Sequence, residues 1–206
     1  MIFAVAFLAF AVLHSLLASR AVKSRVIGAL PFMRWYYRLL YNMLALVTFG
    51  LVWFLAPVEH QLLYHIEPPG QWLMHLIQLG ALAGLWLSLR HAGSSAFLGL
   101  VQLRDARRSE TNYDLDEPAS AQIAISGPFR YMRHPLYVFS IILLIAHPIM
   151  TLKWALFTLC CILYFVIGSR FEERRLLARF GDSYAEYRKQ VPAFIPIILH
   201  KLYSNE

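Results

Sequence analysis

Apolar stretches long enough to cross a bilayer, separated by basic segments, constrain this chain more than any single motif in it. A helix needs about 20 apolar residues to cross about 30 Å of hydrocarbon, and fewer where the bilayer thins. Four or five segments qualify: Met1 to Ala18, Leu39 to Ala56, Gln71 to Leu89, and two within Leu136 to Gly168. The last stretch is broken at His147-Pro148, and because Pro lacks a backbone donor, a helical hairpin of two short spans is expected there. Composition agrees, since 59% of the residues are hydrophobic and only 15% charged, unlike a soluble domain. Met1 to Ala18 has no basic region ahead of its apolar stretch and no small-residue cleavage site before Arg20, so it reads as a retained span.

The charges set an orientation. Of the 19 Lys and Arg residues, 18 fall in Arg20 to Arg38, Arg90 to Arg133 and Arg170 to Lys201, and only Lys153 lies elsewhere. With five transmembrane helices these three regions share one face, which the positive-inside rule makes cytoplasmic. The expectation is an all-α polytopic protein of the bacterial inner membrane, N-terminus out and C-terminus in, with the Pro57 to Gly70 loop outside. The net charge of +7 is then a property of cytoplasmic loops and gives no reason to invoke nucleic acid.

No soluble domain can be separated. The longest polar stretch, Arg104 to Ser126, has few apolar positions with which to build a core and reads as a connector or a lid. We therefore treat residues 1–206 as a single integral-membrane domain, with a three-helix part over 1–103 and a distinct C-terminal part over 127–196. Cys160 and Cys161 are adjacent within an apolar segment and form neither a disulfide framework nor a metal motif. Gly80, Gly84 and Ser88 recur every four residues and predict a close helix-packing face.

Chemistry-bearing residues concentrate in two places. Gly127 to Tyr137 reads Gly-Pro-Phe-Arg-Tyr-Met-Arg-His-Pro-Leu-Tyr and enters the hairpin, while Arg170-Phe171-Glu172-Glu173-Arg174-Arg175 leaves it. The hairpin brings both ends together. Arg130 and Arg133 can anchor a helix end among phosphates, and Glu172 and Glu173 can pair with Arg174, Arg175 or Arg179 along one helix surface. The same groups also suit a polar, charged cofactor: a carboxylate accepts hydroxyls or an amino group, Arg forks a carboxylate, and the rings of Tyr131, Tyr137, Tyr184 and Tyr187 can face a cation.

Taken in order, Arg133-His134-Pro135-Leu136-Tyr137, Glu172-Glu173 with Leu176, Phe180-Gly181-Asp182-Ser183-Tyr184 with Tyr187, Val191-Pro192 and Ile195-Pro196 resemble the C-terminal half of the isoprenylcysteine carboxyl methyltransferase and phospholipid methyltransferase superfamily. The resemblance implies a cytoplasmic S-adenosylmethionine pocket, with cofactor contacts from His134, Tyr137, Glu172, Glu173 and Tyr184, and with Tyr131 beside them. One departure is Phe139, where a Gly is usual two residues after the motif Tyr; its ring removes the close helix approach that a Gly allows.

The N-terminal half, with His14-Ser15-Leu16-Leu17-Ala18-Ser19, Tyr37-Arg38-Leu39-Leu40-Tyr41-Asn42 and Phe97-Leu98-Gly99-Leu100 with Gln102, resembles bacterial methanethiol S-methyltransferases and their membrane relatives. By that resemblance Arg38, Tyr41 and Asn42 become candidates for binding the acceptor. For a small thiol acceptor such as methanethiol the thiolate is the reactive form; Arg133 and Arg130 are then expected to supply a favourable field, and His134 or His14 to take the proton. Two other readings remain: carboxyl methylation of isoprenylcysteine or methylation of another lipid-like acceptor, and a non-enzymatic membrane protein holding metal or haem through its eight His residues. No pair of these His residues forms a compact ligand motif, so no metal site is expected.

Overall fold

The computed structural model describes residues 2–55, 61–93, 95, 98–106, 113–114, 117–118 and 122–195. Within them the chain is mostly helical: α1 Ile2–Ala18, α2 Arg20–Ala29, α3 Met33–Leu55, α4 Gly70–Ala92, α5 Leu100–Ala106, α6 Pro135–Ile145, α7 Leu152–Phe180 and α8 Asp182–Gln190, with a 3-10 turn over Gly127–Arg130. About half of the expected connector or lid, and the chain beyond Ile195, lie outside the described residues.

The all-helical expectation needs one correction, because short strands pair antiparallel: β1 Leu62–His65 with β4 Ile149–Thr151, and β2 Tyr113–Asp114 with β3 Glu117–Pro118. The backbone groups of the first pair would otherwise be unsatisfied. Ile66 N donates to Pro148 O at 2.9 Å and Leu152 N to Gln61 O at 2.8 Å, extending the β1–β4 ladder at both ends.

Two compact units emerge. The first comprises Met1–Val58 and Gly93–Gln122. Here α1 runs against α3 through a ladder of rings, Phe3 on Trp53 at 6.3 Å, Phe10 on Phe49 at 5.7 Å and His14 on Tyr41 at 4.5 Å. Ser19 closes one helix and opens the next: its hydroxyl donates to Leu16 O at 2.6 Å and accepts from Val22 N at 3.4 Å. A side-chain cap of this kind satisfies an otherwise orphaned helix donor, and α2 departs from α1 at 60°.

The second unit comprises Glu59–Ala92 and Ile123–Glu206. Its core begins where α4 meets α6. Ala81, Gly84 and Ser88 are buried there, and a Cβ placed on Gly84 would lie 2.5 Å from Phe139 Cε1. The close approach expected to be lost at Phe139 is thus recovered by placing the small residue on the facing helix. Gly80, by contrast, is exposed with open space around it. Four-residue steps drift about 40° each around a helix, so the buried stripe follows spacings of three and four and passes Gly80 by.

Helices α3, α4 and α7 are long and apolar enough to cross a membrane, and α1 with α2 adds a fourth crossing if the bent pair counts as one. A fifth crossing is not shown among the described residues. The first arm of the hairpin, α6, has 11 residues, about 16 Å at 1.5 Å per residue, half the hydrocarbon thickness. Its end is nevertheless well satisfied, with Gln78 Nε2 donating to Leu143 O at 3.3 Å and Trp154 Nε1 to Leu144 O at 2.9 Å. Thr151 then caps α7, accepting from Trp154 N at 3.2 Å. Helix α7 continues for 29 residues, through its apolar part and on through Glu172, Glu173 and Arg175, until Gly181 at φ +54° breaks it. That conformation strains any residue with a Cβ.

Candidate active site

The second unit brings together the two clusters that the sequence places at the ends of the hairpin. Arg133 and His134 lie just before α6, Tyr137 in its first turn, Glu172 and Glu173 on α7, and Tyr184 and Arg188 on α8. Pro135 starts α6 at the position where a missing donor does no harm. Thirty-five residues of hairpin separate Tyr137 from Glu172, yet the Tyr137 hydroxyl donates to Glu172 Oε2 at 2.6 Å.

His134 is deeply enclosed, its side chain only 3% exposed. Its Nε2 bonds Glu173 Oε1 at 3.1 Å, and its Nδ1 stands 3.6 Å from Glu172 Oε2. Tyr137 stacks on one side of the ring, with centroids 5.3 Å apart and planes 5° apart, and Phe194 leans on it at 5.6 Å. Phe165 extends the stack from the other side of Tyr137 at 4.9 Å. An imidazole held between two rings with a carboxylate at each nitrogen is suited to orient its neighbours.

Arg133 ties three segments together. Its Nε donates to Glu173 Oε1 at 2.8 Å, and a terminal nitrogen reaches the same oxygen at 2.6 Å. The other terminal nitrogen donates to Arg188 O at 3.1 Å and to Val191 O, among the last carbonyls of α8 and its cap. Backbone bonds fasten the same stretch, Arg133 N to Pro192 O at 2.9 Å and His134 N to Ala193 O at 3.0 Å. Tyr187 adds a bond from its hydroxyl to Phe129 O at 2.7 Å. A neutral hydrogen bond contributes about 1 kcal/mol net, so Tyr187→Phe is expected to lower the thermal midpoint in detergent by a few degrees; a midpoint equal to the parent's would show that this bond does not hold the turn.

Tyr184 is 1% exposed, and its hydroxyl has no hydrogen-bond partner among the described residues. Burial, reinforced by the Glu173 charge, pushes this phenol up to about 12. It therefore stays a neutral donor across the physiological range, and a buried polar group without a partner among the described residues is costly. A ligand hydroxyl or carboxylate within reach would relieve that cost.

Other expected residues fall elsewhere. Arg130 and Tyr131 sit on the exposed side of the 3-10 turn and make no hydrogen bond or ion pair with the cluster among the described residues. His14, Arg38, Tyr41 and Asn42 belong to the first unit. There the Tyr41 hydroxyl and His14 Nε2 share a hydrogen bond at 2.5 Å, and Arg38 and Asn42 lie one turn apart on α3. Phe165, Arg188 and Phe194 were not anticipated. Phe165 had a signal, since it precedes Glu172 by two helical turns and so shares its face. Arg188 had none, because only the fold of α8 against α7 brings it within 3.4 Å of Glu173 Oε2.

Comparison with known proteins adds the family context. Residues 94–183, which include Arg133, His134, Tyr137, Glu172 and Glu173, match the family described as Phospholipid methyltransferase. Over 191 residues the chain is 29% identical to Methanethiol S-methyltransferase 2 of Bradyrhizobium diazoefficiens, covering 91% of this chain and 69% of that protein. It is 39% identical over 70 residues to Methanethiol S-methyltransferase of Crocosphaera subtropica, a stretch that is 34% of this chain and 28% of that one. Protein-S-isoprenylcysteine O-methyltransferase of Schizosaccharomyces pombe is 38% identical over 82 residues, 37% of this chain and 34% of that protein. The matched stretch therefore spans little more than a quarter of the Crocosphaera protein's length. No solved structure matches the chain.

Proposed function

Because the chain carries a domain of the phospholipid and isoprenylcysteine methyltransferase family over residues 94–183, we propose that it is an integral-membrane enzyme that uses S-adenosylmethionine to methylate a small thiol such as methanethiol, giving dimethyl sulfide. The observation that carries the cofactor reading is Tyr184, a buried neutral donor beside the Glu172–Glu173 pair whose hydroxyl is unpartnered among the described residues. Residues 127–196 would hold the cofactor, with Tyr184 and the carboxylate pair offering a donor and acceptors to a nucleoside amino acid, and with His134 and Tyr137 framing them.

When bound, S-adenosylmethionine supplies the methyl group on a sulfonium leaving group. The chain's own work is alignment and exclusion of water, since an in-line displacement needs no covalent enzyme intermediate. Arg133 would lend its guanidinium to the thiolate of an acceptor, and His134 would take the thiol's proton. Arg130 would add its charge from the exposed turn. Roles for His14 in taking the proton, and for Arg38, Tyr41 and Asn42 in receiving the acceptor, rest on the resemblance of the N-terminal half. We place the enzyme in the bacterial cytoplasmic membrane, N-terminus out and C-terminus in, because the basic segments then face the cytoplasm, where the cofactor is made. An apolar acceptor would arrive from the bilayer.

A second reading, carboxyl methylation of prenylcysteine, is favoured by the 38% identity to the Schizosaccharomyces protein over 82 residues. Purified protein incubated with labelled S-adenosylmethionine and, separately, methanethiol, hydrogen sulfide, a prenylcysteine and phosphatidylethanolamine distinguishes them. Turnover of methanethiol at low concentration is the expected result. Label transferred only to the prenylcysteine would replace the thiol reading with the second one, and transfer to none of the four would remove both.

A further inference from the structure

Two helices of the second unit end in the same order of side chains. On α4 the exposed Leu82, Trp86 and Arg90 follow one another at steps of four; on α7 the exposed Ile167, Phe171 and Arg174 follow at steps of four and three. Such steps keep each set on one face of its helix. In both, the guanidinium lies over the ring before it, Arg90 on Trp86 at 4.6 Å and Arg174 on Phe171 at 5.8 Å, although the rings themselves are 56% and 63% exposed. Neither arginine forms an ion pair among the described residues, and the carboxylates of Glu172 and Glu173 face Arg133, His134 and Arg188 instead. The two helix ends are also neighbours. A Cβ on Gly127 would lie 2.7 Å from the His91 ring in the last turn of α4, and the stretch that follows reaches α7 through Arg133 Nε and Glu173 at 2.8 Å.

We propose that this end of the second unit is a binding surface for anionic phospholipid, with Arg90 and Arg174 holding headgroup phosphates while acyl chains lie along the apolar stripes of α4 and α7. Both helices are long and apolar enough to cross a membrane. An unpaired arginine does not belong in hydrocarbon, and a large exposed ring does not belong in water. The headgroup layer satisfies both, and aromatic residues concentrate there for that reason. Apolar side chain, ring and cation also repeat the order of chain, glycerol and phosphate in a lipid. Net charge then selects among lipids: a zwitterionic headgroup carries its own ammonium beside the phosphate, whereas an anionic one leaves the phosphate to the protein. Phosphatidylglycerol has neither an amine nor a thiol to accept a methyl group, so this surface is independent of the methyl-transfer reading and stands or falls apart from it.

The test titrates the purified full chain in nonionic detergent with phosphatidylglycerol and phosphatidylcholine of matched acyl chains. Native mass spectrometry counts the lipid retained by the parent, Arg90→Gln, Arg174→Gln, the double variant and Lys189→Gln. A cation at the membrane surface favours anionic lipid by about fivefold, so two should give the parent about a 25-fold preference for phosphatidylglycerol. Each single arginine variant should keep about fivefold and the double variant none, with retention of phosphatidylcholine unchanged. Lys189→Gln removes the same charge from a solvated pair with Glu186 at 3.0 Å and should keep the full preference. Because the readout is a ratio taken on one sample, a variant that lost stability would shed both lipids together and leave the ratio intact. Glycerol 3-phosphate at the lipid's concentration should displace nothing, since it lacks the chains. Equal retention of the two lipids by the parent overturns the proposal. So does a preference that Lys189→Gln erodes as far as Arg90→Gln does, which would assign it to net charge, or displacement by glycerol 3-phosphate, which would make the ligand a free phosphate.

Discussion

Arg133→Ala is expected to lower the unfolding midpoint of the purified protein in detergent by about 10 °C, with Arg133→Lys recovering only a fraction of the loss. The guanidinium and the Glu173 carboxylate are 11% and 13% exposed, so the pair is largely withdrawn from solvent. Removing one partner of a buried ion pair costs about 3–5 kcal/mol because the other charge stays behind. For a chain of this length each kcal/mol shifts the midpoint by about 2–4 °C. The carbonyls of Arg188 and Val191 lose their donor at the same time, which loosens the end of α8. Lysine keeps the charge but presents a single ammonium on a flexible stem. It cannot reach Glu173 and two carbonyls in the planar geometry that a guanidinium offers. An Arg133→Lys protein as stable as the parent would mean that charge alone matters at this position and that the three-way clamp does not.

Gly84→Ala should destabilise the protein by about 1–3 kcal/mol, the usual cost of overpacking a core, although the change adds a single methyl. The new Cβ would fall within 2.6 Å of three atoms of the Phe139 ring, so the ring has to move or the helices have to part. Phe139→Ala alone should cost about 3–5 kcal/mol by opening a cavity. Combined, the two substitutions should cost clearly less than the sum of the single ones, because the methyl partly fills the space the ring vacates. Additive effects would show that Gly84 and Phe139 do not share one packing site. Parting of α4 and α6 would also displace Tyr137, which lies two residues from Phe139 and holds Glu172.

The N-terminal pattern shows the limit of local inference from the other direction. His14 and Tyr41 stand in separate motifs of the N-terminal half, and they share a hydrogen bond within the first unit. Their pairing needed α1 to lie against α3 in a register set by the Phe3, Phe10, Phe49 and Trp53 rings, which no spacing along one helix specifies. Arg130 and Tyr131 show the converse. Tyr131 is as close in sequence to His134 as Tyr137 is, and Arg130 one residue farther, but the turn over Gly127–Arg130 leaves both exposed.

Local chemistry was enough to place most of the helices, the break at His147-Pro148 and the convergence of the hairpin's two charged ends, because apolar length, a missing proline donor and charge density each act within a few turns of backbone. It was not enough for the strand pair at the turn of the hairpin, the short first arm or the unequal standing of two adjacent carboxylates. Those depend on which groups from distant segments arrive to satisfy a given oxygen or carbonyl. Glu172 and Glu173 are identical in chemistry and one residue apart, and only the approach of Tyr137 to one and of Arg133, His134 and Arg188 to the other makes them different.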